Sequence, residues 1–201
     1  MKLTKTISVL FLLLTVASSV PAVAGVVNMQ FNGTPTSNNY SGVPSYPYDL
    51  SVNGGPNQWM MCIGYFEHIS GGETWQASPP SVGSLDLNTH LLNYEAAFLF
   101  KMAVADQGAN GDMNAAVWWL FEGVPTRTPG AQALVTLAQS QSYTQGEFAD
   151  VMLYSAIPGT ESGNLGTAQD FMSSTPEPGT LALLGSGILG VAGLLRRKLL
   201  A

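Results

Sequence analysis

The two ends of this chain limit what it can become more than anything between them, because each is an apolar segment flanked by basic residues. At the start, Lys2 and Lys5 precede the uncharged run from Ile7 to Val16, which Ser18, Ser19 and Pro21 interrupt. Such a run has the length of a signal-peptide hydrophobic region and is too short to span a bilayer. Ala22-Val23-Ala24 supplies the small residues of a signal peptidase site, with Gly25 opening the mature chain. Residues 1–24 are therefore expected to be a signal peptide. At the far end, Pro176-Glu177-Pro178-Gly179-Thr180 leads into an uncharged Leu/Gly/Ala/Ile run, closed by Arg196-Arg197-Lys198. An apolar helix over 180–195 with cations beyond it is expected to stop in the inner membrane, its basic end cytoplasmic. What remains to fold by itself is 25–175, the size of one ordinary domain.

Charge follows the same division. The chain has seven Lys and Arg, thirteen Asp and Glu, and a formal net charge of −6. Between 25 and 175 only Lys101 and Arg127 stand against every acid but Glu177, which leaves that segment at −10. Nucleic-acid binding depends on clustered Lys and Arg, so that class of partner is excluded. Only 10% of the chain is charged and 46% is hydrophobic, which is not the composition of a disordered segment.

The closing residues PEPGTLALLGSGILGVAGLLRRK resemble the PEP-CTERM sorting tail, also described as an ice-binding-protein C-terminal motif. Its three parts, the Pro-Glu-Pro entry, the apolar helix and the basic end, occur here in order over 176–201. The resemblance implies an exported protein of an exopolysaccharide-producing Gram-negative bacterium. It further implies recognition by an exosortase near Pro176, Glu177 and Pro178, then transfer to the cell surface or its matrix. A tail of this kind is an address, so activity has to be sought in 25–175.

That segment changes character along its length. From Val26 to about Ser84 it is rich in Gly, Asn, Ser, Pro and Tyr, with turn signals at Asn53-Gly54-Gly55-Pro56 and Gly71-Gly72. Short strands joined by loops are expected there, with Trp59, Tyr65, Phe66 and Trp75 on strand faces. From Asn88 to about Gln141 the apolar residues take helical spacing. Leu91, Leu92, Tyr94, Phe98, Leu99, Met102 and Ala103 predict a first helix ending before Gly108. Asp112 is the expected N-cap of a second, with Met113, Ala116, Val117, Leu120 and Phe121 on one face. Thr128-Pro129 opens a third that buries Ala131, Leu134, Val135 and Ala138. Phe148 to Ile157 reads as a returning strand, and the Gly/Ser/Thr/Asn-rich stretch up to Ser174 as a last strand or linker. The order of strands, helices and strands predicts an α+β fold, a short-stranded sheet or barrel with an inserted helical subdomain, followed by the C-terminal transmembrane helix.

The one cysteine, Cys62, cannot form an intrachain disulfide. Its neighbours Trp59-Met60-Met61 and Ile63 favour burial as a small apolar residue. An apolar strand carrying a Cys, followed by helices with a small-residue and Trp pattern, also resembles a surface thioester domain. The segment that carries this likeness is Met113-Asn114-Ala115-Ala116-Val117-Trp118. The resemblance implies a thioester from Cys62 to a side-chain amide, either Asn114 or a Gln, which would acylate a nucleophile on a target surface. A cysteine hydrolase is a third reading, with His68 or His90 as the base.

Weaker signals complete the set. Asp49, Glu67, Glu73, Asp86, Asp106 and Asp112 could offer oxygen ligands to a hard cation, but no calcium-loop pattern orders them. Glu67 with Glu73 is a candidate carboxylate pair for glycan chemistry, and Tyr40, Tyr46, Tyr48 and Trp75 are candidate sugar-stacking aromatics. No cofactor and no metal is expected. The leading expectation is a non-enzymatic adhesion or structural protein. Its partners would be signal peptidase and exosortase during export, then exopolysaccharide or another surface ligand.

Overall fold

Alternation of apolar and polar residues builds the first strand. In β1 (Val27–Gly33) the side chains of Val27, Met29 and Phe31 are buried while Asn28, Gln30 and Asn32 are exposed. A period of two is what a strand with one covered face requires. Two very short strands, β2 (Asn39–Tyr40) and β3 (Val43–Pro44), pair as a separate ribbon. Then follow β4 (Tyr48–Val52), β5 (Gln58–Cys62) and β6 (Thr74–Ser78). A 3-10 turn at Val82–Ser84 leads to three helices, α1 (Leu91–Ala105), α2 (Gly111–Glu122) and α3 (Pro129–Gln139). The chain returns as β7 (Val151–Ala156) and ends in β8 (Phe171–Ser174).

These features come from a computed structural model that describes residues 25–35, 38–106, 111–123, 128–163, 168–175 and 187. The expected cleavage residues Ala22 and Ala24, the sorting residues Pro176 to Thr180 and the basic end Arg196, Arg197 and Lys198 lie outside the described residues. So does the expected membrane span 180–195, apart from Gly187. Among the described residues no helix is long and apolar enough to cross a membrane.

Six strands close into an antiparallel barrel in the order β1-β4-β5-β8-β7-β6, with β1 meeting β6 at Met29↔Trp75. Closure leaves no edge of the barrel open, which suits a domain without a disulfide. The expected α+β class and the barrel alternative are both seen, with the helices inserted between β6 and β7 in one compact unit, Val23–Ser174. Phe171 packs against Tyr48 and Trp75, ring centroids 5.6 and 6.0 Å away. In β7 and β8, Val151 to Tyr154 and Phe171 to Ser173 are all buried, with α1 packed over β8 and the 3-10 turn at Val82–Ser84 packed over β7.

Local expectations fared unevenly. Thr128 caps α3 as its sequence predicts, its hydroxyl accepting from the Ala131 N–H at 3.1 Å. Asp112 is not an N-cap; it lies in the first turn of α2 and accepts the Thr128 hydroxyl at 2.6 Å, tying two helix starts together. Tyr40, Tyr46, Tyr48 and Trp75 are buried rather than free to stack on sugars: the strand period turns Tyr48 and Trp75 inward, Tyr46 packs edge-on against Phe100, and the Tyr40 hydroxyl accepts the Thr128 N–H. Trp59 and Phe66 are the large aromatics left exposed, at 49% and 66%.

Candidate functional site

Register decides what surrounds Cys62. β5 and β8 run antiparallel with Met61↔Met172 and Cys62↔Phe171, and the Ile63 N–H donates to the Asp170 carbonyl at 2.9 Å. One further step brings Gly64 beside Gln169. The end of β5 and the entry to β8 therefore meet, and Gln169 lies diagonally across from Cys62. Gly64 has no side chain, so the amide of Gln169 can swing over it.

The Cys62 thiol donates to the Gly64 carbonyl at 2.8 Å and lies 3.1 Å from Gln169 Oε1. On its other side the Gln169 amide is held by carbonyls: Nε2 donates to Gly64 O at 3.5 Å and to Glu67 O. Cys62 is fully buried and Gln169 is 6% exposed. A thiol and a carboxamide thus share a dry pocket, the amide oxygen toward the sulfur and the amide nitrogen toward two acceptors.

Helix α2 supports this pocket through one stripe of its surface. Asn114, Trp118 and Glu122 are spaced by four, so they lie along one face. Asn114 Nδ2 donates to the Cys62 carbonyl at 2.8 Å, and its Oδ1 accepts the Tyr46 N–H at 2.9 Å. Trp118 packs edge-on against Tyr65 at 5.1 Å between ring centroids. Glu122 accepts the Tyr65 N–H at 3.0 Å. Asn114 therefore touches Cys62 through the backbone, and the carboxamide at the sulfur is that of Gln169.

Electrostatics around the sulfur pull in opposite directions. Burial pushes the Cys62 thiol well above its ordinary range, the Trp118 indole N–H draws it back, and Glu67 and Glu122 raise it again. That indole nitrogen is buried and makes no hydrogen bond of ordinary geometry. Burial first, then Asp170 and Glu122, raises the Glu67 carboxyl to about 7. Burial also raises Asp170, against the opposing Ala156 N–H and the Ser155 side chain. The Glu67 carboxylate rests on Gly64: a Cβ there would collide with Glu67 Oε2 and come 3.5 Å from Glu122 Oε1.

The remaining candidates are elsewhere. His90 is exposed at the start of α1, its Nδ1 within 2.8 Å of Thr89 Oγ1 and 3.2 Å of the Asp86 carbonyl. His68 is exposed on the loop after β5. Neither makes a hydrogen bond to Cys62 among the described residues. Glu73 is buried and accepts the Ser70 N–H at 2.9 Å, a loop-closing role. Among the described residues no group of three or more His, Cys, Asp or Glu could hold a metal ion.

Outside the barrel, the family model for the PEP-CTERM protein-sorting motif matches residues 174–198. The chain carries a PEP-CTERM sorting motif. This match bears out the tail read from Pro176-Glu177-Pro178, and it marks an exported, surface-directed protein handled by an exosortase. The PEP-CTERM match covers the tail alone and says nothing of Cys62. No curated protein and no solved structure matches the chain.

Proposed function

We propose that this PEP-CTERM protein is a covalent surface adhesin whose barrel forms an internal thioester between Cys62 and Gln169. The observation that carries this reading is the 3.1 Å approach of Cys62 Sγ to Gln169 Oε1 in a pocket closed to solvent. That contact sets the sulfur beside the carboxamide whose carbon it attacks. The sulfur attacks Cδ of Gln169, the C–N bond breaks, and the thiol proton leaves with the amide nitrogen as ammonia. The product is an acyl donor that reacts once with a nucleophile on a target, so the protein binds covalently without turnover.

Intact mass of the exported chain tests this. A mass short by one ammonia is expected, restored as an adduct by methylamine and absent in Cys62→Ala and Gln169→Ala. A full mass with a titratable thiol would sink the thioester and leave non-covalent adhesion.

The tail delivers this domain. The precursor is anchored in the inner membrane through 180–195, cut near Pro176-Glu177-Pro178, and released to the surface or its exopolysaccharide matrix. Replacing Glu177, or deleting Arg196 to Lys198, is expected to hold the protein in the inner-membrane fraction. Unchanged release of either variant on fractionation would refute this route.

A further inference from the structure

The Cys62–Gln169 reading leaves two questions open: what carries the proton from sulfur to nitrogen, and what nucleophile the product accepts. The inference below rests on that reading and answers both from the same residues.

A buried thiol cannot attack as a thiol; it must lose a proton, and the nitrogen must gain one before it departs. Three features of the pocket bear on this. The Gln169 nitrogen faces carbonyl oxygens of Gly64 and Glu67, which accept hydrogens and can give none. The Glu67 carboxylate lies over Gly64, the residue whose carbonyl binds both the thiol and the amide nitrogen. The buried, unpartnered Trp118 N–H favours the sulfur anion that forms when the proton leaves.

We propose that Glu67 is the proton carrier of this site, and that the pocket selects a primary amine as the group the thioester acylates. In closure, the Glu67 carboxylate takes the Cys62 proton, the sulfur bonds to Gln169 Cδ, and the carboxyl returns the proton to the departing nitrogen as ammonia. In acylation a primary ammonium follows the reverse path. It gives one proton to Glu67, and its nitrogen bonds to Cδ. As the C–S bond breaks, a second proton passes to Cys62, leaving a secondary amide on residue 169 and a free thiol. Two N–H groups of the incoming amine match the two carbonyls that held the amide nitrogen. A hydroxyl brings one hydrogen and leaves an acceptor unpaired.

The surroundings agree with that assignment. Burial first, then Asp170 from the entry to β8 and Glu122 from α2, raises the proton affinity of Glu67 to near neutrality. Cys62 on β5 is the other titratable group acting here, with the Tyr48 hydroxyl beside it, while His68 is exposed on the same loop. Among the described residues the only ion pair is Lys101 with Asp150.

Methylamine opening of the full exported chain, followed by mass and thiol release from about pH 5 to about pH 9, separates the possibilities. In the wild type the rate is expected to rise with pH and level off above about 7, where Glu67 is ionised. Glu67→Gln should open about a hundredfold more slowly near neutrality, the usual worth of a positioned base, and keep rising with pH because only free amine reacts. Glu67→Asp should restore the break in the profile. Methanol at the same concentration should give no adduct. A Glu67→Gln chain that has closed and opens with the wild-type rate and pH profile overturns the Glu67 assignment while leaving the thioester intact. A methanol adduct overturns the amine preference. A wild type that never loses ammonia overturns the thioester and this inference together.

Discussion

Asn114 and Gln169 are both buried carboxamides near one cysteine, yet their geometry assigns them different work. Asn114 spends its whole amide on backbone, one end on the Cys62 carbonyl and the other on the Tyr46 N–H. Gln169 turns its oxygen toward the sulfur itself. Removing the Asn114 side chain leaves a buried carbonyl and a buried N–H without partners, at about 1–3 kcal/mol each. Asn114→Ala is therefore expected to destabilise the domain by roughly 3 kcal/mol, or about 9 °C in Tm at this size. Thermal denaturation by circular dichroism reads that shift. In the fraction still folded, the loss of ammonia should persist, because the acyl donor is untouched. Loss of ammonia that vanishes in folded Asn114→Ala, yet survives in Gln169→Ala, would return the donor role to Asn114.

At the scale of elements, the helices were legible and the site was only half so. The three- and four-residue spacing from Leu91 to Ala138 has one periodic solution, and three helices lie along it. The barrel was harder to read because its strands run from four to seven residues and their partners are distant in sequence. Cys62 stood out by being the one cysteine, and the four-residue spacing of Asn114, Trp118 and Glu122 was there to be found on α2. Gln169 carried no such signal. It lies just after a Gly/Ser/Thr/Asn-rich stretch and two residues before β8, where no period marks it. Only the antiparallel register of β5 with β8 brings it beside a residue 107 positions away. Burial of Tyr48 and Trp75 has the same origin: closure turns one face of each strand inward, and closure is a property of all six strands at once, whereas Tyr46 packs on Phe100 of α1 and the Tyr40 hydroxyl on the β2–β3 ribbon accepts the Thr128 N–H.

Across the whole molecule the scarcity of cations shapes how the fold responds to pH. Segment 25–175 keeps Lys101 and Arg127 against twelve acids, a net of −10, and Lys101 is committed to Asp150 in a half-exposed pair of little energetic weight. With so few cations, carboxyls drawn out of water gain little compensating positive charge. Glu67 is raised to about 7, first by burial and then by Asp170 and Glu122; Glu95 and Asp170 are also raised by burial, and Glu95 Oε2 has no hydrogen-bond partner. Each of these groups holds its proton more tightly folded than unfolded, so each contributes stability that is complete below the ordinary carboxyl range. That stability is lost as pH rises through the folded values, which for Glu67 means between the usual 4.5 and about 7. Glu161, lowered first by the Ala168 N–H, works in the opposite sense. The processed protein is therefore expected to melt at a higher temperature near pH 5 than near pH 7.5, with a smaller difference in Glu67→Gln. Calorimetry at the two pH values checks it, and a melting temperature that climbs toward neutrality would show that these carboxyls are ionised in the fold.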